Sequence, residues 1–133
     1  MPTFFDQSAL DALLTEIATN SVKICLIDGY TQGDSYALVD AATIGSAVIT
    51  AGVGGASFSS ITSSGEDRTI TFTGASGTAT DTRGAGAGLH IALTNNSSIV
   101  YAVTNETSDQ AITTDNPLTF PSFTLTARQP TQG

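Results

Sequence analysis

The sequence is poor in the residue types on which most catalytic and metal sites depend. It has one cysteine, Cys25, one histidine, His90, and no tryptophan. A single cysteine excludes an intrachain disulfide and a Cys-based zinc site, and the apolar run 22–27 around it indicates a buried side chain rather than a reactive thiol. A lone histidine has no second one with which to share a metal, so we expect a surface or interface residue. The sequence therefore predicts no catalytic residue, no metal ligand and no cofactor.

Positive charge is equally scarce, with four Lys and Arg against twelve Asp and Glu and a net charge of -8. Nucleic-acid binding depends on clustered basic residues, whereas here they are dispersed, at Lys23, Arg68, Arg83 and Arg128. We therefore expect no nucleic-acid partner. No apolar run approaches the roughly 18 residues of a membrane span, and the start of the chain lacks the pattern of a signal peptide. We expect a protein made in a cytoplasm, with no membrane partner.

The acidic and glycine-rich segments match no catalytic or ligand-binding motif. Asp28 and Asp34 flank a glycine-containing loop, but their spacing misses the EF-hand pattern, so a solvated loop is expected. The glycines in 52–55 and 84–88 lack the Lys-Ser/Thr ending of a phosphate-binding loop. Two carboxylates suffice in principle for glycoside hydrolysis. However, the chain has no tryptophan and only three tyrosines on which a sugar ring could stack. An enzyme or a glycan-binding module therefore ranks last among the functional hypotheses.

The residues that are present predict a folded β-protein with one helix. Hydrophobic residues make up 40% of the chain and charged residues only 12%, and the remainder is rich in Gly, Ser and Thr. We predict a single domain over 1–133, an antiparallel β-sandwich or jelly-roll-like barrel. Its parts are an N-terminal arm at 1–7, a helix at 8–20, the β-structure at 22–127 and a loose tail at 128–133.

The helix is predicted from one apolar stripe formed by Leu10, Leu13, Leu14 and Ile17. This stripe predicts that Leu13 faces a core. A helix of about three turns is marginal alone, so it must lie against the chain's own sheet or against a neighbour, and the sequence leaves both open.

Phe4 and Phe5 precede this helix and are the candidate site residues of the chain. They are either an anchor into a neighbouring protein, because aromatic side chains dominate interface energetics, or part of the helix start. With Asp6 as N-cap, Phe5 and Leu10 would form a hydrophobic staple. Ser8 with Asp11 is an alternative capping box, so the start of the helix is open by two residues.

Strands are predicted where apolar and polar residues alternate or where short apolar runs lie between turn residues. The predicted ranges are 22–27, 47–50, 57–62, 68–73, 78–82, 89–94, 98–104, 110–113 and 118–127. The pair 89–94 and 98–104 forms a hairpin with a turn at 95–97, and the rest of 37–86 is left open. In 118–127 the apolar residues change from even-numbered to odd-numbered positions, so a regular strand would place them on opposite faces. This predicts a bulge or break at Pro121-Ser122.

Six segments together form a recognisable layout, at 9–14, 23–26, 88–93, 99–104, 110–113 and 118–123. With this layout the chain resembles a family of small structural proteins of tailed bacteriophages, some of which act as capsid decoration or cement proteins. The resemblance is strongest from 88 to 127.

The resemblance implies a non-enzymatic virion protein that binds the outer surface of a phage head and stabilises it. The implied partner is the major capsid protein or another virion protein, and a homo-oligomer, guessed to be a trimer, is expected. The alternative is a head–tail connector, tail component or fibre-associated adaptor of the same virion.

Overall fold

The computed structural model describes residues 4–84, 86, 88–105 and 111–130. Within this part of the chain there are two helices and nine strands. Their bounds are α1 Gln7–Asn20, β1 Lys23–Asp28, α2 Tyr36–Ala41, β2 Thr43–Val48, β3 Thr62–Ser64, β4 Asp67–Phe72, β5 Ala75–Ala79, β6 Leu89–Thr94, β7 Val100–Asn105, β8 Pro117–Phe120 and β9 Phe123–Ala127. The predicted mainly β class with an N-terminal helix is confirmed.

The strands form two antiparallel sheets, one of six strands in the order β7-β6-β1-β2-β5-β8 and one of three in the order β3-β4-β9. The described strands form two sheets and no closed barrel. By its contacts the chain divides into two compact units. The first comprises the described residues of Met1–Asn20, Thr50–Gly74 and Pro121–Gly133, and the second those of Ser21–Ile49 and Ala75–Phe120. The prediction of one domain stays a prediction.

In the second unit, β1 lies between β6 and β2 and is buried on both faces from Ile24 to Ile27. On one face Cys25 and Ile27 pack with Ala92 of β6 and with Val39 of α2. The short apolar run that predicted a buried strand therefore reflects a central position, because a strand covered on both faces shows no polar alternation.

The predicted hairpin is confirmed as β6 paired with β7. Its connection is held by the Asn95 side chain, whose Oδ1 accepts the N–H groups of Ser97, Ser98 and Ile99. Asn96 adopts a φ of 59°, the left-handed conformation that asparagine tolerates. The prediction that Ile99 continues the strand is wrong, because a register irregularity delays β7 to Val100 and leaves Ile99 46% exposed in the loop.

In the first unit, α1 packs on β4 and β9 of the three-stranded sheet. The helix therefore lies on a sheet of its own chain. Its buried residues are Leu10, Leu14 and Ala18. In the same unit the Phe72 ring of β4 lies 5.1 Å from that of Phe123 of β9 and 5.7 Å from that of Phe58.

Leu13 does not face this core, so the prediction that placed it there is wrong. Its side chain is 54% exposed, whereas the neighbouring Leu14 is 1% exposed. On the sheet, Ile70 and Phe72 of β4 are buried, with exposures of 1% and 0%.

Several strand bounds within 37–86 differ from those predicted. The strand at 47–50 is β2 and begins earlier, at Thr43, and the strand at 78–82 is β5 and begins at Ala75. Most of 57–62 is not a strand, since Phe58 makes an isolated bridge and β3 begins only at Thr62. The helix α2 was not predicted at all. Ser35 caps it, with Oγ accepting the Leu38 N–H at 3.3 Å.

Two predictions concern the C-terminal third of the chain. Of the predicted strand at 110–113, Gln110 lies outside the described residues, and Ile112 makes only an isolated bridge with Arg83. The break at Pro121-Ser122 is confirmed and is larger than a bulge. It separates β8, in the six-stranded sheet, from β9, in the three-stranded sheet.

Candidate interaction surface

Phe4 and Phe5 lie at the start of the described chain, directly before the cap of α1, and are 63% and 49% exposed. Residues 1–3 of the predicted arm lie outside the described residues. Asp6 occupies the N-cap position, with its Oδ2 accepting the Ser8 N–H at 2.9 Å and also the Ser8 hydroxyl. The capping prediction for Asp6 is therefore confirmed over the Ser8 alternative.

The Asp6 cap has an electrostatic consequence. Hydrogen bonds first from the Ser8 hydroxyl and then from the Ser8 backbone hold the pKa of the Asp6 carboxyl below its ordinary value of 3.8. Asp6 consequently carries its negative charge at all but strongly acidic pH, at the position in the chain directly after Phe4 and Phe5.

The backbone of Phe5 is fixed from its other side by the side chain of Gln129. Phe5 N donates to Gln129 Oε1 at 2.9 Å, and Gln129 Nε2 donates to Phe5 O at 2.6 Å. The Gln129 backbone N–H in turn donates at 2.9 Å to Oδ1 of Asp67, the first residue of β4. We call this arrangement the Gln129 clamp. It fixes the main chain at Phe5 while the two side chains stay largely exposed.

Exposed apolar residues of α1 follow the two phenylalanines. Ala9, Ala12 and Leu13 are exposed, and at 100° per residue they fall on one side of the helix, away from Leu14, with Glu16 between Ala12 and Ala9. We refer to the three large exposed apolar residues Phe4, Phe5 and Leu13 together as the N-terminal apolar patch.

The opposite flank of α1 is tied to the sheet by an ion pair. Arg68 Nε donates to Asp11 Oδ1 at 2.6 Å and its Nη2 to Oδ2 at 3.3 Å, while Nη1 donates to Ser63 Oγ. This two-point contact between a helix and a strand fixes which side of α1 faces outward.

The other residues considered from the sequence have local structural partners. Asp28 pairs with Arg83 at 3.2 Å, and Asp34 Oδ2 accepts the Thr31 N–H. His90 is half-buried, its Nδ1 lies 3.0 Å from Gly88 O, and its ring lies 5.7 Å from that of Tyr30. Among the described residues, no group of three or more His, Cys, Asp or Glu is placed to hold a metal ion.

The sequence offered Phe4 and Phe5 as candidates, which stays a prediction, and it gave no signal for Gln129 or for the outward placement of Leu13. Gln129 is 124 residues from Phe5 along the chain, and no spacing or periodicity links the two. In the described part of the chain, neither helix is long and apolar enough to cross a membrane.

Comparisons of the chain with protein-family models, with curated proteins and with solved structures find no match.

Proposed function

We propose that this chain is a non-enzymatic structural protein of a tailed-phage virion, a capsid decoration or cement protein that binds the outer surface of the head and stabilises it. Its partner would be the major capsid protein or another virion protein. The proposal starts from the sequence resemblance. The structural observation that supports it best is the N-terminal apolar patch, with two exposed phenylalanines on a main chain held by Asp6 and Gln129.

The energetic argument concerns how such a patch binds. Exposed aromatic rings gain most when they enter a desolvated pocket, and Phe side chains bury a large area each. Binding normally costs the entropy of ordering the segment that docks. A main chain already fixed on both sides of Phe5 reduces that cost, so the segment suits an anchor better than a freely moving arm would.

A decoration role would not require tight binding by each copy. A protein that covers a shell binds in many copies. If it is also a homo-oligomer, a trimer in our proposal, each oligomer presents several anchors. A modest affinity per anchor then suffices. The net charge of -8 favours a position outside the shell, away from packaged DNA.

The proposal is tested with heads from the parent phage that lack this protein. Purified protein is mixed with expanded heads, and bound protein is measured by co-sedimentation. We expect saturable binding that raises the temperature at which the heads disassemble, and absence of binding would refute the proposal.

The anchor is tested in the same assay with the double variant Phe4→Ala/Phe5→Ala. We expect binding to weaken at least about tenfold and the melting temperature to fall only slightly, because the Phe4 and Phe5 side chains are 63% and 49% exposed. The matched control is Val48→Ala on β2, which removes a side chain that is 89% exposed and lies outside the patch. Equal binding by the double variant and the control would exclude Phe4 and Phe5 as the anchor.

The alternative role, a connector, tail component or fibre-associated adaptor, is distinguished by location. A decoration protein follows the lattice of the whole head, whereas a connector or adaptor occupies a single vertex or the tail. A cryo-EM map of the parent virion with this fold assigned to the head lattice would support decoration, and density confined to the tail or the portal vertex would support the alternative.

A further inference from the structure

The Gln129 side chain makes the same pair of hydrogen bonds to Phe5 that a neighbouring β-strand would make. Its amide oxygen accepts the Phe5 N–H at 2.9 Å, and its amide nitrogen donates to the Phe5 carbonyl at 2.6 Å. No described helix or strand contains Phe5. A single side chain therefore takes the place of a strand at the residue that precedes the cap of α1.

The clamp is itself supported from the sheet. The Gln129 N–H donates to Asp67 Oδ1, and Asp67 begins β4, on which α1 packs. This series of contacts, from Asp67 of β4 through Gln129 to Phe5, connects the sheet under α1 to the segment that precedes the helix. Because the site is largely exposed, water could have satisfied the hydrogen-bonding groups of the Gln129 amide. The contact with Phe5 is therefore not needed for that purpose.

On the segment 4–20 itself the charged side chains have one sign, whereas Arg128, which precedes Gln129, is an exposed cation. The segment 4–20 contains Asp6, Asp11 and Glu16 and no Lys or Arg. Arg68 pairs with Asp11, whereas Asp6 and Glu16 have no cationic partner among the described residues. An apolar patch bordered by negative charge is complementary to an apolar pocket bordered by positive charge.

We infer that Gln129 is a positioning residue that holds Phe4 and Phe5 for docking, and that their binding site is an apolar pocket bordered by Lys or Arg on the shell protein. This inference rests on the proposed function. It assigns to Gln129 a role in binding, through Phe5, without contact between Gln129 and the partner.

The clamp is tested first without any partner, by hydrogen exchange of the Phe5 amide in NMR spectra of the full chain. Gln129→Ala removes both hydrogen bonds, so we expect faster exchange at Phe5 with little change at buried amides of β4. Gln129→Glu is the second variant, because its carboxylate can still accept the Phe5 N–H but cannot donate to the Phe5 carbonyl. The control is Gln32→Glu, which introduces the same charge at an exposed loop glutamine.

Acidification gives a readout that a merely structural role would not produce. Below the ordinary glutamate pKa of about 4.3, the carboxyl group introduced by Gln129→Glu is protonated and regains a donor for the Phe5 carbonyl. The protection of Phe5 relative to Gln32→Glu at the same pH should therefore recover. Unchanged Phe5 exchange in Gln129→Ala would overturn the clamp.

Binding to heads that lack the protein then tests the positioning role. Gln129→Ala should bind about three- to tenfold more weakly, as expected for the loss of ordering at an anchor, while its thermal melt stays close to that of the wild type. If Phe5 exchange rises and Phe4→Ala/Phe5→Ala weakens binding but Gln129→Ala does not, the positioning role is overturned and the proposed function stands. If neither variant weakens binding, both the anchor and the positioning role are overturned.

The positively charged border is tested by salt. Raising the ionic strength from about 0.1 M to 1 M shortens the screening length from about 10 to 3 Å, so wild-type binding should weaken. Glu16→Gln should show weaker binding at low salt and a smaller salt dependence. Binding that is insensitive to salt would overturn the assignment of a basic border.

Discussion

Arg68 on β4 holds Asp11 on α1 through two hydrogen bonds, from Nε to Oδ1 at 2.6 Å and from Nη2 to Oδ2 at 3.3 Å. The Arg68 side chain is 17% exposed and that of Asp11 34% exposed, so water screens the pair only in part. Because it joins a helix to the strand beneath it, the pair fixes the rotation of α1 about its own axis, and with it the direction in which Leu13 points.

The first prediction follows from this ion pair. Asp11→Ala should lower the free energy of unfolding by about 1 kcal/mol, the upper part of the range for partly exposed pairs, and the loss should shrink at high salt. Urea unfolding at low and high salt measures it. Glu16→Ala, a change of an exposed acid on the same helix, is the control and should have little effect. A loss in Asp11→Ala that does not depend on salt would contradict an electrostatic origin.

The second prediction uses two adjacent leucines of α1. Leu14→Ala removes a side chain that is 1% exposed and should cost about 2–5 kcal/mol. Leu13→Ala removes one that is 54% exposed and should change stability by no more than about 0.5 kcal/mol. Thermal melts of the two variants compare them directly. Equal losses would mean that both leucines face a core, as the sequence pattern alone predicted.

The misplacement of Leu13 shows what periodicity does and does not determine. The positions of Leu10, Leu13, Leu14 and Ile17 correctly predicted a helix. They did not determine which of these side chains faces the sheet, because the apolar stripe is wider than the part of the helix that the sheet covers. Three strands spaced about 4.8 Å apart make a sheet only about 10 Å wide, which covers a narrow arc of a helix. That arc is centred on Leu14 and includes Ala18, so the small Ala18 is buried and the larger Leu13 is not.

The middle of the chain was poorly predicted for a different reason. There the sequence is rich in Gly, Ala, Ser and Thr, so apolar and polar residues show no clear period. Gly77 is part of β5, and a Cβ built on it would collide with the Ser46 carbonyl oxygen of β2. Close approach of β5 to β2 requires a residue without a side chain, a requirement that a single sequence cannot distinguish from a flexible linker.

The Gln129 clamp could not be predicted because it joins the two ends of the chain through one side chain. By contrast, the cap at Asp6 and the break at Pro121-Ser122 were predicted, because each depends on residues that are close in sequence.

The third prediction compares two buried serines. Ser21 is 0% exposed, and among the described residues its Oγ has no hydrogen-bond partner. Ser57 is 8% exposed, and its Oγ accepts the Thr50 N–H at 2.9 Å. Because burying an unpaired hydroxyl is unfavourable, Ser21→Ala should leave the melting temperature unchanged or raise it, whereas Ser57→Ala should cost about 1 kcal/mol. A loss in Ser21→Ala as large as that in Ser57→Ala would show that the Ser21 hydroxyl has a bonding partner.

The fourth prediction concerns alkaline pH and Cys25, which is 2% exposed between β6 and β2. Burial raises the pKa of the Cys25 thiol above its ordinary value of 9.0, an effect that the charge of Lys23 and hydrogen bonds with Thr43 and Thr94 offset only in part. A raised pKa in the folded state means that the unfolded chain loses this proton first. The associated stability is therefore fully present below the ordinary value of 9.0 and is lost as the pH rises through the folded pKa.

The measurement is urea unfolding of the wild type and of Cys25→Ala on both sides of that ordinary value. The wild type should lose more stability than the variant as the pH rises, because only the wild type carries the Cys25 thiol. A thiol reagent provides an independent check, because a buried, protonated thiol should react only as fast as the protein opens. Parallel pH profiles for the two proteins, or reaction of the native thiol as fast as that of the unfolded chain, would contradict the raised pKa.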